Sequence, residues 1–254
     1  MERAPFPIFS IKKTSLLIVI KNKSRTKSVA KSMLSGTIRG FIGRGGLLMS
    51  DRALLQGREL AVWRGERCLF EQLHFQLDAG QLGLLVGPNG SGKTTLLRVL
   101  AGLASPSDGV VTWGGTPVAE LAPEQRAEVA YRGHLEALKR DLSVRENLNF
   151  QRALCGTGAA IDDLLAELKL GAAAETRVRY LSAGQRRRAA LALLQLAGAK
   201  LWLLDEPTTN LDTHGRALLR DWVRRHLAGG GVAVIATHQP DEFAAAGALM
   251  IELR

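Results

Sequence analysis

The sequence is poor in cysteine, in long apolar runs and, over its first fifty residues, in acidic side chains. Its two cysteines, Cys68 and Cys155, have no metal-ligand spacing, and they are too few for the disulfide framework of a small secreted domain. The longest apolar run near the N-terminus is Leu16 to Ile20, whereas a membrane-spanning helix needs roughly 20 such residues. We therefore expect reduced thiols, as in a cytosolic protein, and no transmembrane segment.

The scarcity of acidic residues near the N-terminus explains the net charge of the chain. Residues 1–50 contain ten basic residues and one acidic residue, Glu2, so they carry +9 of the total +10. Residues 51–254 carry only +1, and the body of this 254-residue protein is almost neutral. The high net charge therefore does not indicate a nucleic-acid-binding or membrane-binding body.

Residues 1–48 differ in composition from the remainder of the chain, because they are rich in serine and glycine and show no helical or strand period. Three interpretations are open: a disordered basic arm that contacts membrane or nucleic acid, an organelle-targeting peptide, or an upstream stretch added by a wrongly chosen start codon. We favour the last, because a chain that started at Met49 would have almost no residues before the folded domain. The expected folded domain is 49–254.

The order of elements after residue 50 predicts an α/β fold. Residues 57–62 and 73–78 alternate apolar and polar side chains, as in an antiparallel hairpin layer, and the turn between them is expected at 64–66. The apolar runs 82–86, 201–204 and 232–236 alternate with helical stretches, which favours a mostly parallel sheet. Residues 141–198 have an almost wholly helical pattern, and we expect a helical subdomain at about 141–190.

A glycine-rich loop follows the strand predicted at 82–86 and precedes an apolar helix. In this context its glycines let backbone amides converge on phosphate oxygens, and the helix N-terminus adds a partial positive charge. Lys93 would reach the β- and γ-phosphates, and the Thr94 hydroxyl would ligate Mg²⁺. The loop reads Gly87-Pro88-Asn89-Gly90-Ser91-Gly92-Lys93-Thr94 and is followed by Thr95.

The run 201–204 ends in two carboxylates, Asp205 and Glu206, before Pro207 stops the strand. A buried strand delivers such acids to the carboxyl edge of a parallel sheet. Asp205 is expected to hold Mg²⁺ through water, and Glu206 to orient and deprotonate an attacking water. Two surface acids on a solvated strand end are the alternative.

A further segment begins a helix rich in arginine and alanine. The spacing of Ser182 and Gln185 is that of a capping box, so a plain helix start would explain them. The functional interpretation is that this helix N-terminus binds the γ-phosphate of a nucleotide held by another molecule. The segment reads Leu181-Ser182-Ala183-Gly184-Gln185.

In combination, these motifs resemble those of an ABC-transporter nucleotide-binding domain in identity and order, over about residues 57–254. The resemblance adds Asn210-Leu211-Asp212 and Ala236-Thr237-His238 to the segments described above. It implies a P-loop NTPase of the ABC type that binds and hydrolyses ATP with Mg²⁺. It also implies that His238 contacts the γ-phosphate, that Asp212 links two half-sites, and that residues 181–185 complete the site of a second copy. In isolation, His238 would be interpreted as a core histidine.

Two positions depart from the common ABC pattern. His134 stands where most such domains have a glutamine that touches Mg²⁺, and imidazole is a softer ligand than an amide oxygen. Arg64 stands at the usual spacing of the aromatic that stacks on adenine, with Trp63 just before it. Either a guanidinium plane or an indole can stack on the base.

The segment Tyr131 to His134, Arg64 and the Thr237 to Pro240 ending resemble the haem-exporter ATP-binding subunits of cytochrome c maturation (CcmA type), although Leu135 departs from their usual glutamine. This resemblance implies a homodimer that docks on an integral membrane subunit at the cytoplasmic face of the inner membrane and energises haem export or haem-chaperone release. Two alternatives remain: the motor subunit of another small ABC transporter, or a non-transport ABC ATPase that binds nucleic acid through residues 1–48. We expect no nucleic-acid partner.

Overall fold

The computed structural model of the chain describes residues 17–19, 54–133, 137–243 and 247–253. Within these residues, two sheets and six α-helices follow one another in the order expected for an α/β fold. The strands are β1 (Leu17–Val19), β2 (Leu55–Arg64), β3 (Arg67–Leu77), β4 (Leu82–Val86), β5 (Asp108–Trp113), β6 (Thr116–Pro117), β7 (Val129–Arg132), β8 (Leu201–Asp205), β9 (Val232–Ala236) and β10 (Leu249–Glu252). The helices are α1 (Lys93–Leu100), α2 (Pro123–Ala127), α3 (Val144–Cys155), α4 (Ile161–Glu167), α5 (Ala183–Leu196) and α6 (Thr213–Ala228).

The central sheet is parallel throughout, in the order β1-β10-β4-β9-β8-β7. Strands β4, β9 and β8 lie in its middle, and their residues are buried almost without exception because helices and the second sheet cover both faces. The predicted strands at 82–86 and 232–236 coincide with β4 and β9, and the 201–204 run forms β8 together with Asp205. The α/β prediction is therefore confirmed.

The second sheet is antiparallel, in the order β3-β2-β5-β6, and its predicted hairpin is present with a turn at Gly65. The strands are longer than predicted, and their burial does not alternate strictly. Glu59 and Gln72 have positive φ angles of 51° and 53°, and the pairing of β2 with β3 shifts register around residues 57–63. Because a bulge of this kind turns a strand onto its other face, β2 buries groups of neighbouring residues instead of every second one.

Two cores lie on opposite faces of the central sheet. Alternate residues of the strands face each side: Leu203 and Val234 face α1 and the antiparallel sheet, whereas Leu204 and Ile235 face the helices α3 to α6. On the helical side, Trp202 of β8 stacks on His226 of α6, with ring centroids 3.9 Å apart. Burial lowers the pKa of His226 below its ordinary value.

The predicted helical region 141–198 contains α3, α4 and α5, but residues 168–182 form an irregular segment with two short 3₁₀ turns. This segment supplies hydrogen-bond acceptors to the first turn of α3. Ala174 O accepts a hydrogen bond from Arg145 N, and Thr176 O accepts one from Val144 N, so the segment covers the start of α3. No helix among the described residues is long and apolar enough to span a membrane.

Of the basic extension, only Leu17–Val19 is described, as an edge strand parallel to β10. The boundary proposed at residue 49 otherwise falls on residues outside the described ranges. Both cysteines are free thiols, as expected.

Candidate functional site

The loop between β4 and α1 has the backbone that its glycines predict. Gly90 and Gly92 have φ angles of 79° and 104°, in a region that side chains other than glycine rarely adopt. A Cβ on Gly87 would lie 2.3 Å from the backbone oxygen of Leu253, so the residue that follows β10 leaves no space for one. Ser91 Oγ is buried inside the loop and has no hydrogen-bond partner among the described residues. The loop therefore has a backbone that requires glycine at three positions, Gly87, Gly90 and Gly92, and it encloses one unpartnered hydroxyl group.

Lys93 opens α1, and its ammonium group turns back over the loop. Nζ donates hydrogen bonds to Gly87 O at 2.7 Å and Pro88 O at 3.1 Å, and the residue is only 8% exposed. These carbonyls fix the side chain above the amides of the loop. A positive charge held in this position can bind an anion that the amides also contact.

Thr94 and Asp205 meet beside this loop. Thr94 Oγ1 donates a hydrogen bond of 2.7 Å to Asp205 Oδ2, although 111 positions separate the two residues in the chain. Asp205 is the last residue of β8 and is 1% exposed. Two hard oxygen atoms thus lie together at the carboxyl edge of the sheet, as the sequence predicts.

Glu206 and His238 lie at the ends of adjacent strands. The Glu206 carboxylate is 15% exposed, and its Oε1 atom lies 3.2 Å from His238 Nε2. This distance permits an ion pair when the ring is protonated, although the two groups are not aligned for a hydrogen bond. The His238 side chain is 49% exposed, so it is not a core histidine. The pair faces the same edge of the sheet as Lys93 and Asp205.

The segment 181–185 forms the start of α5, with both hydrogen bonds of the capping box. Gln185 N donates to Ser182 Oγ at 3.2 Å, and Ser182 N donates to Gln185 Oε1 at 2.9 Å. Leu181 is buried, whereas Ser182 and Ala183 are exposed, and a Cβ on Gly184 would meet open space. Among the described residues, no hydrogen bond joins 181–185 to the loop 87–95. The structure therefore keeps this helix start apart from the loop of its own chain.

Asp212 begins α6. Its Oδ1 atom accepts a hydrogen bond from Gly215 N at 2.8 Å, and its Oδ2 atom is paired with Arg188 of α5. The bond from Gly215 N, together with the positive charge of Arg188, lowers the pKa of Asp212 below its ordinary value. The residue thus connects the helix that begins at 183 with the segment that follows Glu206.

The two candidates for base stacking lie in different surroundings. Arg64 reaches the loop, and its Nη2 atom donates to Thr95 Oγ1 at 3.2 Å. Trp63 is 48% exposed, and its backbone amide is bonded to Ser107 Oγ, away from the loop. Of the two, Arg64 is the side chain that the structure brings to the site.

His134 lies outside the described residues, so its role as a metal ligand stays a prediction. Strand β7, just before it, places Tyr131 near the site. Burial, followed by the negative charge of Asp205, raises the pKa of Tyr131 above its ordinary value.

With this geometry established, comparison with known proteins decides the family. The family model described as ABC transporter matches residues 70–209. The "Cytochrome c biogenesis ATP-binding export protein CcmA" of Rhodospirillum rubrum is 47% identical over 188 residues, which cover 74% of this chain and 81% of that protein. The CcmA of Nitrosospira multiformis is 43% identical over 78% of this chain and 98% of its own length. This chain belongs to the CcmA family of ABC transporter proteins.

Solved structures agree with this assignment at the level of the fold. An ATP-binding subunit of an ABC transporter matches with a TM-score of 0.69 at 22% identity, over 79% of this chain and 86% of that one. A putative ABC transporter ATP-binding protein from Pyrococcus furiosus matches with a TM-score of 0.66 at 22% identity, over 78% and 96%. The P-loop NTPase fold of the ABC type is thus confirmed for this CcmA-family chain.

Sequence reasoning missed three arginines around the site of this CcmA-family chain. Arg67 Nη2 donates to Gly90 O at 3.3 Å, and Arg187 Nη2 donates to Glu206 O at 3.0 Å. Arg188 is the partner of Asp212. The run Arg186 to Arg188 directly after Gln185 is the signal that was available, but a run of arginines on a helix more often indicates a solvated face.

Proposed function

We propose that this chain is the ATP-binding and ATP-hydrolysing subunit of an ABC transporter complex that energises haem export or haem-chaperone release in c-type cytochrome biogenesis. The observation that carries the proposal is the meeting of Lys93, Thr94, Asp205, Glu206 and His238 at one edge of the sheet. The CcmA relatives, which are cytochrome c biogenesis proteins by name, supply the cellular process.

ATP binding follows from the loop. Backbone amides of residues 87–95 surround the phosphates, and Lys93 exchanges its two carbonyl partners for β- and γ-phosphate oxygens. We favour Arg64 as the side chain that stacks on the base, since it donates a hydrogen bond to Thr95, and the exposed Trp63 is the less favoured candidate.

The residues present also fit Mg²⁺. This ion takes oxygen ligands and is usually bound by one or two protein groups together with phosphates and water, as Thr94 Oγ1 and the buried carboxylate of Asp205 would provide. His134 remains a proposed third participant. When bound, the ion neutralises developing charge on the phosphates.

In the proposed reaction, water attacks the γ-phosphate of ATP to give ADP and phosphate. Glu206 orients the water and accepts its proton. His238, whose Nε2 atom lies 3.2 Å from Glu206 Oε1, donates a hydrogen bond to a γ-phosphate oxygen. Lys93 holds the same phosphate and stabilises the charge that builds on it in the transition state.

We further propose that two copies close head to tail around two nucleotides. Each nucleotide is held by the loop of one chain and by Ser182 and Gly184 of the other, and Asp212 links the half-sites. The support is that residues 181–185 expose a helix start, and that no hydrogen bond among the described residues joins it to the loop of the same chain. Solution scattering of Glu206→Gln with ATP should show a dimer; a monomer at every protein concentration would contradict this model.

The motor is proposed to act peripherally at the cytoplasmic face of the inner membrane, on an integral membrane subunit. The segment from His134 to Ser143 leads from β7, next to Asp205, to the start of the helical region, so it is suited to pass motion to that subunit.

The test of the proposed function is a covalent-haem stain of c-type cytochromes in cells that carry Lys93→Ala in place of the wild-type chain. Loss of the stained bands, with the variant expressed at the normal level, supports the proposal. Retained bands, with ATP hydrolysis lost in the purified variant, would assign the motor to a transporter of different cargo.

The nucleic-acid alternative depends on residues 1–48 and has no support from the nearly neutral body of the protein. A truncated chain of residues 49–254 should restore the stained bands in cells that lack the full-length protein. Dependence of activity on 1–48, together with nucleic-acid binding, would favour the alternative.

A further inference from the structure

The backbone of Glu206 has a conformation that needs support. Its φ angle is 48°, in the left-handed region that a non-glycine residue adopts at an energetic cost. Such a conformation persists only when surrounding contacts hold it. At Glu206 it directs the carboxylate toward His238, so the contacts that hold this backbone also set the direction of the carboxylate.

Three hydrogen bonds hold the peptide groups on either side of Glu206. Its amide donates to Ala236 O at 2.9 Å, which connects it to β9. Its carbonyl oxygen accepts from Thr209 N at 3.2 Å, within the turn that follows. The same carbonyl accepts from the guanidinium of Arg187 at 3.0 Å. The first two bonds join backbone groups, one to β9 and one within the turn, whereas the third comes from a side chain of α5.

The third bond connects Glu206 to the helix that begins at Ser182. Arg187 lies five residues after Ser182, in the first two turns of α5, and the next residue, Arg188, is paired with Asp212. The start of α5 thus contacts the segment after β8 at two residues, through the hydrogen bond to Glu206 and the ion pair with Asp212. A helix moves as a rigid element, so a displacement of its exposed N-terminus moves both arginines together.

We infer that Arg187 is a positioning residue, which holds the backbone of Glu206 and thereby makes the alignment of this carboxylate depend on the position of α5. The inference rests on the proposed function. The hydrogen bond from Arg187 to Glu206 would then affect catalysis. When the N-terminus of α5 binds the γ-phosphate of the nucleotide held by the other copy, α5 shifts, and Arg187 shifts the backbone of Glu206 in its own chain. The sites of a dimer would be coupled in this way.

The decisive variant is Arg187→Met in the full chain. Arg187 lines a small cavity together with Leu191, Leu194 and Pro207, so the apolar side chain of methionine suits this position and removes the hydrogen-bond donor. We expect kcat for phosphate release from ATP to fall about 10- to 100-fold, because misplacement of a catalytic group costs up to about that factor. The affinity for ATP, measured with a fluorescent ATP analogue, should change less than about twofold, because residues 87–95 hold the nucleotide.

Arg187→Lys is the conservative variant, since it keeps the charge and a donor. We expect it to restore kcat to within about threefold of the wild type, with the ATP affinity unchanged. The matched control is Arg224→Ala on α6, an exposed arginine paired with Asp221 one turn away, and it should leave kcat and affinity unchanged. Thermal melting of all three variants identifies any loss of folding.

A wild-type kcat in a folded Arg187→Met overturns the inference, as does a fall in ATP affinity that accounts for the lost turnover. If the Met variant does not fold, Arg187→Gln, a polar but shorter side chain, decides in its place: a kcat loss without affinity loss supports the inference, and an unchanged kcat overturns it. Absence of phosphate release by the wild-type chain would overturn the proposed function itself, and with it the inference.

Discussion

Helices α3 and α5 begin with the same capping motif, but the rest of the protein closes only one of these helix starts. In α3, Ser143 and Glu146 exchange both hydrogen bonds of the capping box, and Ser143 is buried. The amides of Val144 and Arg145, which have no acceptor within the helix, donate to Thr176 O and Ala174 O. Every amide of this helix start therefore has a partner within the chain.

In α5 the equivalent amides point outward. Ser182 and Gln185 form the same box, but the amides of Ala183 and Gly184 donate to no acceptor among the described residues. The capping motif alone therefore does not distinguish a covered helix start from an open one. The difference lies in whether another segment covers the first turn, and an uncovered first turn is suited to bind an anion.

The largest expected effect is that of Gly184→Asp in α5. A Cβ at this position meets nothing within 4 Å, and an acidic side chain in a first helical turn is favourable for stability. We expect a melting temperature equal to or above that of the wild type, with ATP turnover reduced by about two orders of magnitude, because the carboxylate would repel a phosphate. Turnover above about a third of wild type would contradict a phosphate-binding role.

Ser182→Ala should have the next largest effect. It removes one cap hydrogen bond at an exposed position, so the loss of stability should be about 1 kcal/mol or less. We expect turnover to fall about tenfold, as for the loss of one hydrogen bond to a charged group. Steady-state phosphate release and thermal melting, measured on the same sample, separate the two effects.

Ser143→Ala in α3 is the matched control and should give the opposite result. Ser143 is buried, and its Oγ atom accepts the cap hydrogen bond from Glu146 N at 3.1 Å, so we expect a loss of about 1–2 kcal/mol in the free energy of unfolding. For a chain of this size the melting temperature should fall by roughly 2–8 °C. ATP turnover per folded molecule should not change; a selective loss of turnover would remove the distinction between the two helix starts.

The smallest effect is expected at the third capped helix, α6, where the cap can be titrated. The pKa of Asp212 is lowered in the folded protein, first by its bond from Gly215 N, so its ionised form stabilises the fold. This contribution is complete above the ordinary pKa of about 3.9 and is lost as the pH falls through the lower, folded-state value. Asp212→Asn keeps a capping side chain without a charge.

We therefore expect the wild type to be more stable than Asp212→Asn at neutral pH by less than about 1 kcal/mol. The difference should shrink as the pH is lowered below about 4. Denaturant unfolding at several pH values measures it. A difference that is independent of pH would show that the charge of Asp212 does not contribute.

Much of the site could be predicted from the sequence because its geometry is local. The loop 87–94 lies between a buried strand and a helix, and Asp205 and Glu206 end a strand, so their placement at one sheet edge follows from chain direction alone. The capping boxes at Ser143 and Ser182 are likewise contained within four residues.

The parts that could not be predicted depend on contacts between distant segments. The bulges at Glu59 and Gln72 leave no clear mark on the hydrophobic pattern. The contact from Arg187 to Glu206 requires the relative position of α5 and β8, which spacing does not determine. The irregular segment 168–182 was predicted to be helical, and its non-helical backbone is explained by the carbonyls it supplies to α3. Whether a helix start is covered is a tertiary property of the same kind.

The left-handed backbone of Glu206 also means that selection for thermal stability and selection for ATP turnover would favour different residues at this position. Glycine adopts such a φ angle without steric cost, and asparagine tolerates it better than glutamate does, so either replacement should relieve a strain of about 1 kcal/mol. A library screened for heat resistance alone should therefore be enriched at this position in stable molecules that lack the proposed catalytic carboxylate. The glutamate of this chain occupies a backbone that favours glycine or asparagine, so directed evolution of this protein must select on turnover to keep it.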